Sequence, residues 1–263
     1  MDLLPLIFAF VFGTIVGSFL NVVALRFNSG KTLGGRSMCM SCGRTLTWIE
    51  LIPVLSFATQ RGRCRKCRSP ISWQYPLVEF SAGIMFTLIF LVYPPLTVAA
   101  GVYTFFLIVI GCLSLVITVY DIKHKIIPDR FSYAFSAVAL LSLFLGGSTL
   151  VHVPGIWAIL AGPILALPFA LIWLVSKGTW MGLGDAKLVL GIGWLLGMSR
   201  GVNALILAFW VAAAVSLLWI FLTRRKFKPR LEVPFGPYLL IGMYLVLLFG
   251  VQVIDFSLFW SLL

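Results

Sequence analysis

Two acidic residues in this chain stand beside long apolar segments, where a carboxylate is costly. Asp121 follows the apolar run 96–120, and Asp185, in the segment GLGDAK (182–187), precedes another apolar run. Two neighbouring carboxylates can share one proton, because like charges at close range do not both ionise cheaply. The ionised member can then take a proton from water while the protonated member polarises a peptide carbonyl. The pair therefore predicts peptide-bond hydrolysis without a covalent intermediate.

The predicted helix ends give these acids different surroundings. Asp185 begins a helix, where the helix dipole favours an anion, so capping alone is an alternative to catalysis. Asp121 ends a helix, where the dipole disfavours an anion, so we expect Asp185 to be the ionised partner and Asp121 the acid. Gly182 and Gly184 would let an extended substrate backbone approach without a side-chain clash. Asp129, which directly precedes another apolar run, is predicted to be an N-cap.

Four cysteines form two C-x2-C pairs, Cys39 with Cys42 and Cys64 with Cys67, with 21 residues between the pairs. This spacing is typical of tetrahedral Zn²⁺ sites. Two disulfides are the alternative, which a reducing cytoplasmic location would disfavour. Four sulfur ligands close the coordination shell, so the predicted zinc is structural and not catalytic.

The composition is that of an integral membrane protein. The chain has 263 residues, of which 61% are hydrophobic and only 11% charged, and its mean hydropathy is +1.07. Because lipid offers no partner to an unpaired backbone group, apolar spans of this kind form helices. We therefore expect an all-α polytopic membrane protein with about eight transmembrane helices, over 3–25, 77–93, 96–120, 131–147, 154–176, 184–199, 202–222 and 237–260.

The basic residues predict the orientation of these spans. The chain has 20 lysines and arginines, and with eight spans all of them except Arg200 fall on one side. The positive-inside rule places that side in the cytoplasm and both termini outside. The predicted organisation is a first transmembrane helix (1–25), a small cytoplasmic zinc-binding loop domain (26–76) and a seven-helix membrane domain with the aspartate site (77–263). The basic loop is also expected to attract anionic lipid headgroups.

The first span carries two further signals for helix packing. Gly13 and Gly17 form a G-x-x-x-G pattern, which is typical of close contact between membrane helices. Asn21, one turn further along, is predicted to make an interhelical hydrogen bond.

Several motifs along the whole chain resemble one family, the type IV prepilin peptidases, which are bifunctional leader peptidases and N-methyltransferases. The G-x-G-D element alone would be weak, because presenilin-like intramembrane proteases share it. Besides the two cysteine pairs, the resemblance rests on GSFLNVVALR (17–26), WIELIPVLSF (48–57), RGRCRKC (61–67), YPLVE (75–79), DIKHKIIPD (121–129) and GLGDAK (182–187).

The resemblance implies functions for particular residues. Asp121 and Asp185 match the family's catalytic aspartates, and Asp129 does not. The implied substrates are type IV prepilins or pseudopilins, cut at the cytoplasmic face of the bacterial inner membrane and then methylated from S-adenosylmethionine. The chain contains no G-x-G-x-x-G fingerprint for that cofactor. The resemblance points instead to the cysteine loop, with Glu79 as a candidate contributor to substrate binding or, alternatively, a helix-end residue facing water.

Two other classes of protein compete with this interpretation. A proton-coupled transporter would use Asp121 and Asp185 as a relay, but it predicts acids near the bilayer midplane and an internal repeat. A nucleic-acid-binding protein would need exposed aromatic residues interleaved with its basic ones, and 61–68 contains none. We therefore expect no nucleic-acid partner. The sequence does not predict an oligomeric state.

Overall fold

The computed structural model describes residues 3–30, 32, 34–145, 151–223 and 234–255, and the regular elements within these ranges are helices, without any β-strand. A short 3-10 helix covers Trp48–Leu51. The α-helices are α1 (Leu3–Arg26), α2 (Leu55–Thr59), α3 (Gln74–Val92), α4 (Val98–His124), α5 (Asp129–Ser142), α6 (Ile156–Ser176), α7 (Leu183–Thr223) and α8 (Gly236–Phe249).

Five helices within these ranges are long and apolar enough to cross a membrane, namely α1, α3, α4, α6 and α7. The prediction of a polytopic all-helical membrane protein is therefore confirmed. Helix α7 covers two of the predicted spans and is interrupted at Gly197, whose backbone has φ 76° and ψ −179°. Helices α5 and α8 have only 14 residues each. The count of eight spans stays a prediction.

The chain forms two compact units, Met1–Pro94 and Pro95–Leu263. In the first unit, α1 packs against α3. A side-chain carbon added at Gly13 would lie 2.7 Å from the carbonyl oxygen of Ala82, and one at Gly17 would lie 2.8 Å from the Cβ of Ala82. The two glycines are therefore needed for this close contact, as predicted.

The interhelical hydrogen bond predicted for Asn21 is also present. Its side-chain amide donates to the carbonyl oxygen of Tyr75 at 3.2 Å. The amide of Gln74 donates in turn to Asn21 Oδ1 at 3.4 Å. These contacts fix the end of α1 against the beginning of α3, and the polar segment of the unit connects the two helices.

The second unit is built around α7, which packs against α5, α6 and α8. Glycines again permit the close approach, because a Cβ at Gly193 would lie 2.7 Å from the Cα of Gly162 in α6. Buried Phe135, Leu188, Ile192 and Met243 fill the space between these helices. The helices thereby position the ends of α4 and α7, which carry the two predicted catalytic acids.

Some predicted features lie outside the described residues. They are Asp2, Lys31 and the charged stretch 224–233, which includes Glu232 and the five basic residues assigned to the last cytoplasmic loop. The ends of the predicted spans 131–147 and 237–260 also lie outside them.

Candidate active site and metal centre

Asp121 lies in the last turn of α4 and is only 3% exposed. Its Oδ2 accepts a hydrogen bond of 3.0 Å from the backbone N–H of Gly236, the first residue of α8. The chain turns away just beyond it, because Lys125 ends α4 in the left-handed conformation. Asp121 therefore lies at the C-terminal end of its own helix and at the N-terminal end of another.

This contact weakens the dipole argument for Asp185 as the ionised partner and Asp121 as the acid, and that assignment stays a prediction. The sequence argument considered only the dipole of the helix that carries Asp121. The beginning of α8 presents an N–H group and a favourable dipole to the same carboxylate. Asp185 also lies in the first turn of a helix, α7. Helix dipoles therefore do not distinguish the two acids.

The structure brings Asp185 and Asp121 together. Asp185 is 9% exposed, and its carboxylate is close enough to that of Asp121 for the two to interact electrostatically. Ile127, in the connection between α4 and α5, lies beside both segments. A Cβ added at Gly236 would lie 3.1 Å from Ile127 Cδ1, and one added at Gly184 would lie 2.8 Å from Ile127 Cβ. Two buried carboxylates thus share one site within the second unit.

The two glycines before Asp185 have different surroundings. Gly184 is needed for packing, because any side chain there would collide with Ile127. A Cβ at Gly182 would lie 3.7 Å from Asp185 Oδ2 and 3.9 Å from the backbone nitrogen of Gly184, which are ordinary contact distances. Gly182 therefore leaves open the space next to the carboxylate, whereas the close contact of Gly184 explains that glycine without a substrate.

The prediction that Asp129 is an N-cap is wrong. Pro128 is the N-cap of α5 and makes no side-chain cap bond, while Asp129 is the first helical residue. The Asp129 side chain is 66% exposed and forms an ion pair of 2.7 Å with Lys187 Nζ. That ammonium also lies 4.7 Å from the ring centroid of Tyr133. Asp129 thus connects the beginning of α5 to α7, and a local sequence pattern could not reveal a partner 58 positions away.

The four predicted cysteine ligands lie together in the first unit, with all sulfur atoms within 4.8 Å of one another. The sulfur atoms of Cys39 and Cys67 are 3.7 Å apart. Zinc–sulfur bonds of about 2.3 Å in a tetrahedron place the sulfurs about 3.8 Å apart. All four cysteines are free of disulfides. The cluster therefore fits one metal ion, with each C-x2-C pair supplying two ligands.

The two cysteine pairs are held by the same backbone pattern. In the first, Cys39 N–H donates to the Arg44 carbonyl, and Gly43 N–H donates back to the Cys39 carbonyl, each at 2.9 Å. The second repeats this with Cys64 and Ser69 at 2.9 Å, and with Arg68 N–H donating to the Cys64 carbonyl at 3.0 Å. Both turns need a residue with positive φ, and Gly43 (68°) and Arg68 (59°) supply it. The segment therefore contains two turns with the same hydrogen-bond pattern, each of which carries two of the four cysteines.

A buried acid that the sequence analysis did not single out connects these turns. The Glu50 side chain is 1% exposed and pairs with Arg44 at 2.5 Å and with Arg65 at 3.9 Å. Thr47 donates to Glu50 Oε2 from its backbone N–H at 2.9 Å and from its hydroxyl at 3.0 Å. The bond from the Thr47 backbone, together with Arg44, lowers the pKa of Glu50. One carboxylate thus contacts Arg44, which follows the first cysteine pair, and Arg65, which lies within the second.

Glu79 is also occupied by a structural contact. It is buried in α3, and its Oε2 accepts a hydrogen bond of 2.7 Å from the backbone N–H of Val54. Val54 has φ 61° and ψ −51°, and Leu55 N–H donates to the Pro53 carbonyl at 2.6 Å. This is a γ-turn in its strained, positive-φ form, which a β-branched residue rarely adopts. The alternative of a helix-end glutamate facing water is therefore wrong.

Fold and site together define the class: a multi-pass helical membrane protein with a buried aspartate pair in one unit and a four-cysteine cluster in the other. Comparison with protein families gives the same division. A model of the bacterial Peptidase A24 N-terminal domain matches residues 11–93. A model of the type IV leader peptidase family matches residues 107–218. The chain belongs to the type IV leader peptidase family.

Curated relatives match over nearly the full chain. A prepilin leader peptidase/N-methyltransferase of Aeromonas hydrophila is 31% identical over 92% of this chain and 89% of its own length. One of Bacillus subtilis is 33% identical over 94% of this chain and 95% of its own. An Escherichia coli enzyme named "Type 4 prepilin-like proteins leader peptide-processing enzyme" is 30% identical over 90% of this chain and 91% of its own length. No solved structure matches the chain.

Proposed function

We propose that this chain is an aspartic endopeptidase of the bacterial inner membrane. It removes the leader of type IV prepilins or pseudopilins and then methylates the new N-terminus from S-adenosylmethionine. The observation that carries the peptidase proposal is the burial of Asp121 and Asp185 in one site around Ile127. The names of the relatives, which join both activities, support the substrate and the second reaction.

The proposed chemistry requires one proton on the pair. The ionised carboxylate removes a proton from a water molecule as that water attacks the scissile carbonyl carbon. The protonated carboxyl group donates its proton to the carbonyl oxygen, and the tetrahedral intermediate collapses when the leaving nitrogen is protonated. The N–H of Gly236 holds Asp121 in place for these transfers. The space beside Gly182 is where we place the extended substrate backbone.

We propose zinc as the metal of the four-cysteine cluster and a structural role for it. Four thiolates suit Zn²⁺ and leave no ligand position for a substrate. The ion would fix the two turns, while the peptidase chemistry uses only the aspartates.

The proposed topology places the cysteine segment and both aspartates at the cytoplasmic face and both termini outside. Its support is the distribution of basic residues, with Arg200 as the exception. Eight crossings would be made by the five long helices, by division of α7 at Gly197, and by α5 and α8. A reporter fused after either terminus tests the orientation.

A proton-coupled transporter that uses the same aspartates as a relay is not favoured. The family and the named relatives are leader peptidases. Asp121 also lies in the last turn of α4 and Asp185 in the first turn of α7, at helix ends. A relay through the membrane would place its acids near the bilayer midplane.

The test incubates purified enzyme with a prepilin peptide and labelled S-adenosylmethionine and measures both products by mass spectrometry. We expect Asp121→Asn and Asp185→Asn each to abolish cleavage, because an amide cannot exchange the required proton. Asp129→Asn is the matched control and should retain most of the activity, because its exposed ion pair contributes little. Near-normal cleavage by either single variant, in a folded protein, would refute the aspartate mechanism.

A further inference from the structure

A cleft of about 590 Å³ lies in the first unit, beside the second cysteine pair and outside both sites described above. Its walls come from the γ-turn at Val54, from α2, from the turn before Cys64 and from the beginning of α3. Pockets of 300–1,000 Å³ are typical for small ligands. The cleft is therefore large enough for a nucleoside-sized molecule.

The side chains on its walls combine aromatic rings with positive charge. Phe57 and Trp73 have ring centroids 4.8 Å apart, and Trp73 is 68% exposed. Arg61 and Arg63 line the same cleft. Among the described residues, the ion pairs of the segment join Glu50 to Arg44 and Arg65, and neither cleft arginine has a carboxylate partner. Two guanidinium groups therefore remain available for an anionic group on a ligand.

The cleft is shaped by unusual backbone conformations that other residues maintain. Val54 adopts its strained turn with its N–H bound to Glu79. Gly62 has φ 66°, and a Cβ there would lie 3.0 Å from the Phe57 ring. Of the two, only the Val54 conformation is strained, because glycine adopts positive φ freely. Strain at a β-branched residue persists only where surrounding contacts enforce it, and it concentrates at ligand sites. This explains why Glu79 is buried, because its carboxylate holds the Val54 wall of the cleft in position.

We propose that this cleft binds S-adenosylmethionine, an inference that rests on the proposed methyltransferase function. The ligand carries a planar adenine, a sulfonium cation and a carboxylate. Aromatic faces bind both planar rings and cations, and arginine binds carboxylates with paired hydrogen bonds. Trp73 and Phe57 would hold the adenine and the sulfonium, and Arg63 the carboxylate. An aromatic anchor at the membrane surface would explain Trp73 alone but not the arginines beside it.

The transfer itself requires no further reactant. The new N-terminal ammonium of the substrate first loses one proton to water. The lone pair of the neutral amine then forms a bond to the methyl carbon while the carbon–sulfur bond breaks. Its electron pair stays on sulfur, so the sulfonium becomes a neutral thioether and the amine becomes a methylated ammonium. The cleft contributes by holding the sulfonium in place.

The experiment measures binding directly, by equilibrium dialysis of labelled S-adenosylmethionine against the purified full-length protein with its metal content checked. Wild-type protein should bind labelled S-adenosylmethionine saturably, and unlabelled S-adenosylhomocysteine should displace it. Trp73→Ala should weaken binding about tenfold, as loss of a cation–π contact implies, and Arg63→Gln by a similar factor. The matched controls are Trp48→Ala, an exposed tryptophan of the same segment, and Arg36→Gln, which is also exposed.

Leader cleavage by each variant serves as the folding check. Ultraviolet cross-linking of the bound ligand provides a second measurement, and the label should fall within residues 54–76. Absence of saturable binding, a label elsewhere, or cleft variants that bind as tightly as the controls would overturn the assignment. Cleft-dependent binding without prepilin cleavage would leave it standing and refute the proposed function instead. Normal cleavage, together with methylation that does not depend on the cleft residues, would overturn the assignment of the cleft and leave the proposed function standing.

Discussion

Substitution of Gly236 tests whether the hydrogen bond to Asp121 positions the proposed catalytic pair. Gly236 begins α8, and its N–H donates to Asp121 Oδ2 at 3.0 Å. An alanine Cβ at this position would lie 2.7 Å from the same oxygen and 3.1 Å from Ile127 Cδ1. Gly236→Ala therefore keeps the N–H donor but forces the carboxylate or the helix to move.

The expected loss follows from this overlap. Ordinary contact begins at about 3.4 Å, so Asp121 Oδ2 or α8 must shift by more than half an ångström. Misplacement of a reacting group by about 1 Å costs on the order of a hundredfold in rate. We therefore expect kcat/KM for leader cleavage to fall by about ten- to a hundredfold. Overpacking should also lower the free energy of unfolding by about 1–3 kcal/mol.

The assay compares initial cleavage rates of a prepilin peptide with methylation of the same peptide supplied without its leader. Methylation should be retained, because the proposed cleft lies in the other unit. Gly101→Ala is the matched control, since a Cβ there would meet only Pro95, at 3.7 Å. Wild-type kcat/KM in folded Gly236→Ala would refute the claim that this contact positions Asp121. Equal loss in the Gly101 variant would show that α-helical glycines matter only for folding.

Two further substitutions test the first unit. Replacing any one of the four cysteines with serine should remove one bound Zn²⁺ per chain and impair methylation more than cleavage, because the metal holds the polar segment while lipid and neighbouring helices hold the spans. Elemental analysis and both rates check this, and a metal-free wild type with disulfides would contradict it. Glu79→Ala should lower the free energy of unfolding by about 1–3 kcal/mol, because the N–H of Val54 loses its acceptor. The same variant should reduce methylation more than cleavage. Glu79→Gln, which keeps an acceptor oxygen, should restore part of it, whereas selective loss of cleavage would assign Glu79 to the peptidase substrate.

Features encoded over a short stretch of sequence could be predicted. Apolar runs of the required length identify the long helices, because lipid permits no other backbone arrangement. The spacing of Gly13 and Gly17 identifies a helix contact without identifying the partner helix. The C-x2-C spacing likewise places two ligands in each turn. These signals are local, so one sequence is enough to detect them.

Features that depend on residues far apart in the sequence could not be predicted. The donor to Asp121 comes from a residue 115 positions away, and the partner of Glu79 lies 25 positions away. The assignment of Asp129 as a cap was wrong by one position, because Pro128 is the N-cap of α5 and Asp129 is the first helical residue. The ion pair that Asp129 makes with Lys187, 58 positions away, could not be predicted either. The γ-turn at Val54 contradicts the residue's own preference and exists only because distant contacts enforce it.

The arrangement around Ile127 explains why an acid can stand behind two glycines at the beginning of an apolar helix. A buried carboxylate needs a polar donor, and the first turn of a helix supplies N–H groups that no other backbone group uses. Two such turns can approach each other only if the residues at their contact lack side chains. Gly184 and Gly236 meet this condition, and both contact Ile127. The glycines thus permit two helix beginnings to converge on one pair of acids, which is the geometry that a shared proton requires.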